Sequence, residues 1–393
     1  MLFSFALILL LGGLAGRLMG RFKIPPLLGM LLVGILIGPS VWNLLDPLTL
    51  EISATLRQIA LIIILTRAGL SLSLADLKKV GRSAIWMAFL PAIFEMVGVV
   101  ILAPILLGVT RLEAALMGSV LAAVSPAVVV PHMLKVQEEG YGVKKGIPQL
   151  IMAGASVDDV FVIVVFTAFL GMAQGTGLSL VSFGLIPVRI LLGIVIGLGV
   201  GFLLTKLYQR FRFSNMEQTL LLLSVAFMLV TIENETNLPF SGLLAVMFSG
   251  MMLQREDLDR SKQLERHFNH FWTAASIALF VLVGASVNVD FLLQAGFTAI
   301  AVIFGALVFR MTGVLVSLVG SDLNWKERLF CMIAYSPKAT VQASIGGIPL
   351  AAGLASGNII LVVAVLAIMT TAPLGAFLIN MTYHRVLDHD LIG

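Results

Sequence analysis

Long apolar runs alternate with short polar breaks along the whole chain, and the spacing of those breaks is regular. Between the charged clusters lie stretches of about 17–25 Leu, Ile, Val, Phe, Met, Ala and Gly residues, the length at which a helix crosses a hydrocarbon core roughly 30 Å thick. Reading the runs against their charged and Pro/Gly boundaries predicts thirteen spans. Their limits are 2–20, 24–43, 54–71, 84–108, 112–134, 147–172, 183–208, 216–233, 238–254, 268–287, 292–320, 328–351 and 356–382. The pattern predicts an all-α polytopic membrane protein whose first partner is the lipid bilayer.

Composition agrees. Of 393 residues, 59% are hydrophobic and 12% charged, where a soluble domain has about 45–50% and 25%. The net charge of +4 carries no nucleic-acid signal, because the basic residues lie between the apolar runs. The single cysteine, Cys331, excludes an intrachain disulfide and reads as a small packed side chain. The opening run "MLFSFALILLLGGLAG" has neither a basic stretch before it nor a small-x-small cleavage site, so it reads as a retained span. No loop is long enough for a soluble domain and no phosphate-loop pattern occurs. These features predict no nucleotide site, no cofactor and no enzyme, and argue against an ATP-driven pump.

The basic residues test the count of spans. Alternate loops, starting from the one with Arg17, Arg21 and Lys23 and including Lys78 and Lys79, collect 19 of the 25 Lys and Arg residues; the opposite side keeps Arg57, Arg111 and Arg189. Cytoplasmic loops carry the excess of such residues. The N-terminus is therefore expected outside and the C-terminus in the cytoplasm. A bacterial inner membrane is expected from the compact length and the lack of a targeting segment.

Two stretches suggest an internal repeat. Span five carries "AAVSPAVVVP" and span twelve "IAYSPKATVQ", placing Ser125-Pro126 and Ser336-Pro337 211 residues apart. "GLSLSLADL" and "GASVNVDFL", at the ends of spans three and ten, are alike at nearly the same offset. Six spans and a linker separate the copies, so equivalent helices run in opposite directions. The predicted organisation is a first inverted repeat at 1–172, a linker helix at 183–208, a second repeat at 216–382 and a short cytoplasmic tail at 383–393. Proline removes a donor and clashes with the preceding turn, and unwound backbone survives in a membrane only when buried in protein or lining a cavity. Pro126, Pro131 and Pro337 therefore mark expected helix breaks, and matching breaks in two halves point to a transporter's binding site. Simple kinks in tilted helices are the alternative.

Five ionisable residues fall near mid-span: Glu95, Asp158, Asp159, Arg310 and Lys338. Each costs about 2.5–3.5 kcal/mol at the bilayer centre on insertion scales, so each needs a partner or an ion path. Asp158 and Asp159 point about 100° apart on a helix, so they do not share one partner symmetrically. A buried carboxylate is expensive to leave charged and bare; it holds either a proton or a hard monovalent cation, and trading one for the other is exchange. Arg310 pairs with Glu95 or with an aspartate. Lys338 is expected to compensate carbonyl ends of the half-helices. Ser125 and Ser156 are possible further oxygen ligands. The Gly193, Gly197 and Gly201 ladder reads as close helix packing, and the charged run at 254–267 as a surface helix or loop.

"VSPAVVVPHML", "GYGVKKGIPQLIMAGASVDDV", "SPKATVQASIGG" and "LTRAGLSLSLADLKK" resemble the NHA-type sodium/proton antiporters of the monovalent cation:proton antiporter superfamily, near the NapA and NhaA branches. The resemblance implies a homodimer of thirteen-span protomers with two crossed discontinuous helices. It implies that Asp158 and Asp159 hold Na⁺ or Li⁺, with Asp159 the carrier. Arg310 stands where electrogenic relatives place a lysine, and Glu95 where the NHA branch places its arginine's partner. Arginine does not deprotonate, which favours electroneutral exchange. The expected function is Na⁺ or Li⁺/H⁺ antiport by alternating access. Alternatives are K⁺/H⁺ antiport, organic-anion symport on the same fold and, furthest away, an ion channel.

Overall fold

The computed structural model of the chain describes residues 1–22, 24–71, 81–174, 180–236 and 238–390. Lys23, Lys78, Lys79, most of "GLSLSLADL" and the last tail residues lie outside the described residues, as does the side chain of Ser156. The elements, in chain order, are α1 (Leu2–Arg21), α2 (Pro26–Ile37), α3 (Pro47–Glu51), α4 (Ser53–Ser71), α5 (Gly81–Leu107) and α6 (Arg111–Leu121). They continue with α7 (Pro126–Glu138), α8 (Ile147–Ala173), α9 (Leu180–Arg210), α10 (Asn215–Glu235), α11 (Gly242–Glu256) and α12 (Leu258–Ala285). The last are α13 (Val289–Ser317), α14 (Trp325–Ala334), α15 (Thr340–Ile345), α16 (Ile348–Ala351) and α17 (Gly357–Val386). Among the described residues, ten helical segments are long and apolar enough to cross a membrane, and Pro26–Ile37 is a shorter apolar helix. The chain is an integral, multi-pass membrane protein of all-helical fold.

Differences from the predicted limits have local causes. The charged run at 254–267 is not a separate element: it closes α11 at Glu256 and, from Leu258, forms the first turns of α12. The Asp257 carboxylate accepts the Arg260 N–H at 3.1 Å, and the run's apolar residue Leu264 is buried. At the C-terminus, α17 continues to Val386, and the residues after it turn back along the chain. Gly142 N–H donates to Asp388 O at 2.9 Å and Asp390 N–H to Gly140 O at 2.7 Å. Pro131 breaks nothing: α7 runs through it. Only one internal hydrogen bond is lost there, and the unwound residues lie ahead of Pro126, which occupies the first helical position as proline favours.

The chain forms two compact units. One comprises Met1–Arg57, Val80–Thr176 and Ile277–Gly393; the other Gln58–Lys79 and Gly177–Ser276.

The first unit holds both interrupted segments. Thr110 and Glu113 form a capping box that starts α6, and Asn324 and Glu327 form one that starts α14. Each helix then stops after about three turns and gives way to unwound backbone, at 122–125 and 336–339. Serine precedes proline in both stretches, and the residue before a proline is pushed out of helical geometry. Lys145, in the loop ahead of α8, places its Nζ 2.8 and 2.9 Å from the two carboxylate oxygens of buried Glu327. The start of α8 is thereby tied to the start of α14. Cys331 is buried, as a small packed residue should be.

In the second unit, the ladder of Gly193, Gly197 and Gly201 lies on α11. A Cβ at these positions would stand 2.8, 2.5 and 2.5 Å from the carbonyl oxygens of Ser241, Ala245 and Ser249. No side chain fits there. Gly199, on the opposite side of α9, has nothing within 4 Å. We therefore expect Gly197→Val to lower the melting temperature in detergent by about 2–4 °C, in line with the upper part of overpacking costs of about 1–3 kcal/mol. Gly199→Val should melt within about 1 °C of the parent, since surface changes stay within about 0.5 kcal/mol. Equal melting of the two variants, read by size-exclusion thermostability, would contradict this packing.

Candidate functional site

The two unwound stretches meet in the first unit. The Ser125 N–H donates to Pro337 O at 2.8 Å, joining the break after α6 to the break after α14. Gln342, in the first turn of α15, donates its Nε2 to Leu121 O at 3.2 Å and to Ala123 O at 2.8 Å. Lys338 N–H donates to the Thr371 hydroxyl of α17 at 2.9 Å. Helix ends leave unpaired backbone groups, and here other chain segments satisfy them in place of water.

Asp158 and Asp159 project from the middle of α8 and are buried, at 0% and 7% exposure. The apolar residues on either side make that segment a continuous helix, so the carboxylates sit deep in it. Asp158 Oδ2 accepts the Val124 N–H and an Arg310 Nη2 hydrogen, each at 2.9 Å. Arg310 comes from α13 and also reaches Glu95 of α5, with Nη1 2.7 Å from Oε2. It pairs with Glu95 and with an aspartate at once, so the two alternatives read from sequence both hold. A planar guanidinium with five fixed donors can serve several acceptors in this way.

Arg310 does more. Its Nε donates to Tyr335 O at 2.6 Å, and its Nη1 donates to Ala122 O. Those carbonyls lie just beyond the ends of α6 and α14, so Arg310 is the cation at both half-helix ends. Lys338, expected in that role, instead places Nζ 2.5 Å from Glu95 Oε2. A single ammonium cannot span two half-helix ends and a carboxylate, whereas the guanidinium can. The Tyr335 ring lies under the Arg310 guanidinium at 5.0 Å, and its hydroxyl donates to Met87 O at 2.9 Å.

Glu95, Asp158, Arg310 and Lys338 thus form one buried network, two acids against two bases. Asp159 stands beside it with no ion pair among the described residues, and its Oδ1 is enclosed without a hydrogen-bond partner. The Ser125 hydroxyl and Asp158 Oδ1 are enclosed and unpartnered in the same sense. Ser125, Asp158 and Asp159 are oxygen donors of the kind a hard monovalent cation prefers. No group of three or more His, Cys, Asp and Glu suited to a metal ion occurs among the described residues. Gln342 and Thr371 were not singled out in the sequence. Gln342 lies inside the "SPKATVQ" stretch, where a polar residue beside a broken helix could have marked it; Thr371 sits in an apolar run and gave no signal.

Residues 6–382 match the profile of the family described as sodium/hydrogen exchanger, transmembrane. Sodium/hydrogen exchanger 9B2 of Mus musculus is 34% identical over 95% of this chain and 71% of its own length. The Homo sapiens 9B1 protein is 31% identical over 93% of this chain and 73% of its own. The sodium proton antiporter MjNhaP1 of Methanocaldococcus jannaschii superposes with a TM-score of 0.86 at 20% identity, covering 97% of each chain, a likeness of fold. With the family profile spanning nearly the whole sequence and curated relatives above 30% identity along most of both chains, the protein belongs to the transmembrane sodium/hydrogen exchangers.

Proposed function

We propose that the chain is a secondary-active antiporter that exchanges Na⁺ or Li⁺ for H⁺ by alternating access, with Asp159 as the carrier. The observation that carries this reading is the contrast between the two neighbours. Asp158 is held by Arg310 and a backbone N–H, while Asp159 is buried with no ion pair among the described residues. A lone carboxylate in a low-dielectric site must be neutralised, and a proton or one alkali cation does so equally. Ser125 supplies a further oxygen, and Ser156 is a second candidate.

Coupling follows from Arg310. A lysine partner could lose its proton during the cycle, whereas an arginine stays charged. Each turnover then moves one cation one way and one proton the other, with no net charge. Thirteen spans, inverted repeats at 1–172 and 216–382 and a homodimer complete the proposal; the two capped, interrupted segments support the repeat. The distribution of basic residues supports an N-terminus outside and a cytoplasmic C-terminus. The expectation of a bacterial inner membrane finds no support in the relatives named above, which are mammalian.

Purified protein in liposomes with an internal pH dye provides the test. Addition of Na⁺ or Li⁺ should collapse an imposed proton gradient, and Asp159→Asn should reduce that response to the level of empty liposomes. An undiminished response in this variant would remove Asp159 from the mechanism. Sodium-driven uptake of an organic anion without proton movement would replace antiport by symport. For coupling, a potential of about 100 mV is worth about 2.3 kcal/mol per net charge moved. Electroneutral exchange should therefore keep its rate within about twofold when that potential is imposed; strong acceleration would contradict one-for-one exchange.

A further inference from the structure

Among the described residues, the cation buried outside the aspartate network is Arg57 of α4, only 4% exposed. Its Nε donates to Ser53 O one turn back, at 3.3 Å, and its Nη1 is enclosed with no hydrogen-bond partner. No carboxylate lies within ion-pair distance of it among the described residues. A charge buried this way normally has a partner, so its surroundings need an account.

The guanidinium lies directly on Gly347. A Cβ on that glycine would clash with Nη1, stand 2.9 Å from Cζ and lie 3.1 Å from Nη2. Gly347 follows α15, a six-residue helix buried along its whole length. Gly347 is also the N-cap of α16, so the guanidinium sits at the junction of the two short helices. At its other end α15 bears on the aspartates: Gln342 holds the carbonyls of Leu121 and Ala123, and the next residue, Val124, holds Asp158 through its N–H.

We propose that Arg57 is a positioning residue for the cation site: seated where a Gly347 side chain would be, its guanidinium fixes the end of α15 and keeps Gln342 on the unwound backbone beside Asp158. Gly347 and Arg57 form one contact, since a Cβ on residue 347 would have to displace the guanidinium. Loosening it shifts the backbone that presents Asp158 and Ser125, without removing any group that binds the ion. The loss therefore appears in cation affinity rather than in maximal rate. This deepens the antiport reading and rests on it.

The test measures Na⁺-driven proton flux in liposomes and, separately, the rise in melting temperature produced by Na⁺ in detergent. The variants are Arg57→Met, Arg57→Lys, Gly347→Ala and the double change Arg57→Met with Gly347→Ala. Arg57→Met should raise the apparent KM for Na⁺ about fivefold or more while Vmax per folded protein stays within about twofold, the pattern of lost uniform binding. Arg57→Lys should recover part of the affinity. Gly347→Ala, which keeps the charge but displaces it, should raise KM as Arg57→Met does, and the double variant should be no worse than either single one. The Na⁺-induced stabilisation should shrink in parallel. An unchanged KM, a fall in Vmax alone, or effects that multiply in the double variant would overturn the proposal. If Arg57→Met does not fold, unchanged KM in both Arg57→Lys and Gly347→Ala overturns it equally. Absence of flux in the parent protein would instead defeat antiport, and the Na⁺-induced stabilisation would still decide whether Arg57 positions a cation site.

Discussion

Charge balance in a medium that solvates ions poorly governs the centre of this protein. Glu95 and Asp158 face Arg310 and Lys338 across distances of 2.5–2.9 Å, all four almost wholly buried. Removing one partner from a buried pair costs about 3–5 kcal/mol, because the other charge is stranded. The network is closed in that sense. Asp159, one residue along, is the acid it leaves over, and a group that must be neutral but has no fixed counter-charge among the described residues is suited to take up and release a mobile one.

The broken helices make this arrangement possible. Continuous helices would spend their carbonyls and N–H groups on themselves. The unwound stretches at 122–125 and 336–339 instead turn backbone groups toward Asp158, Arg310, Gln342 and each other. Arg310 belongs to both the ion-pair network and the half-helix ends, so electrostatics and backbone geometry are coupled through one side chain. A movement that displaced either unwound stretch would be felt at the aspartates through that guanidinium.

Much of this was legible in the sequence, for identifiable reasons. The apolar runs on both sides of Asp158 and Asp159 are long enough that no other placement suits α8. Ser-Pro at 125–126 and 336–337 marked the interruptions, because proline constrains its own φ and the residue before it. Pro131 gave the same signal wrongly, since a helix with neighbours to pack on tolerates one missing bond. The start of α12 was hidden by its charges: hydropathy leaves Asp257 to His267 outside the apolar spans, whereas from Leu258 the run continues into a long helix with Leu264 buried. Periodicity could not choose Arg310's partner, which depends on how α5, α8 and α13 meet in space. Arg57 looked like a loop cation because spacing alone does not reveal burial.

The central claim is that one carboxylate, and no other group, trades a proton for a cation. Titration calorimetry of Na⁺ binding to the detergent-solubilised protein, repeated in buffers of different ionisation enthalpy, counts the protons released per ion bound. The account predicts a release approaching one proton per Na⁺ at pH values where Asp159 starts protonated, and none in Asp159→Asn. Release of two protons, or of none where Na⁺ still binds across the whole pH range, would contradict it.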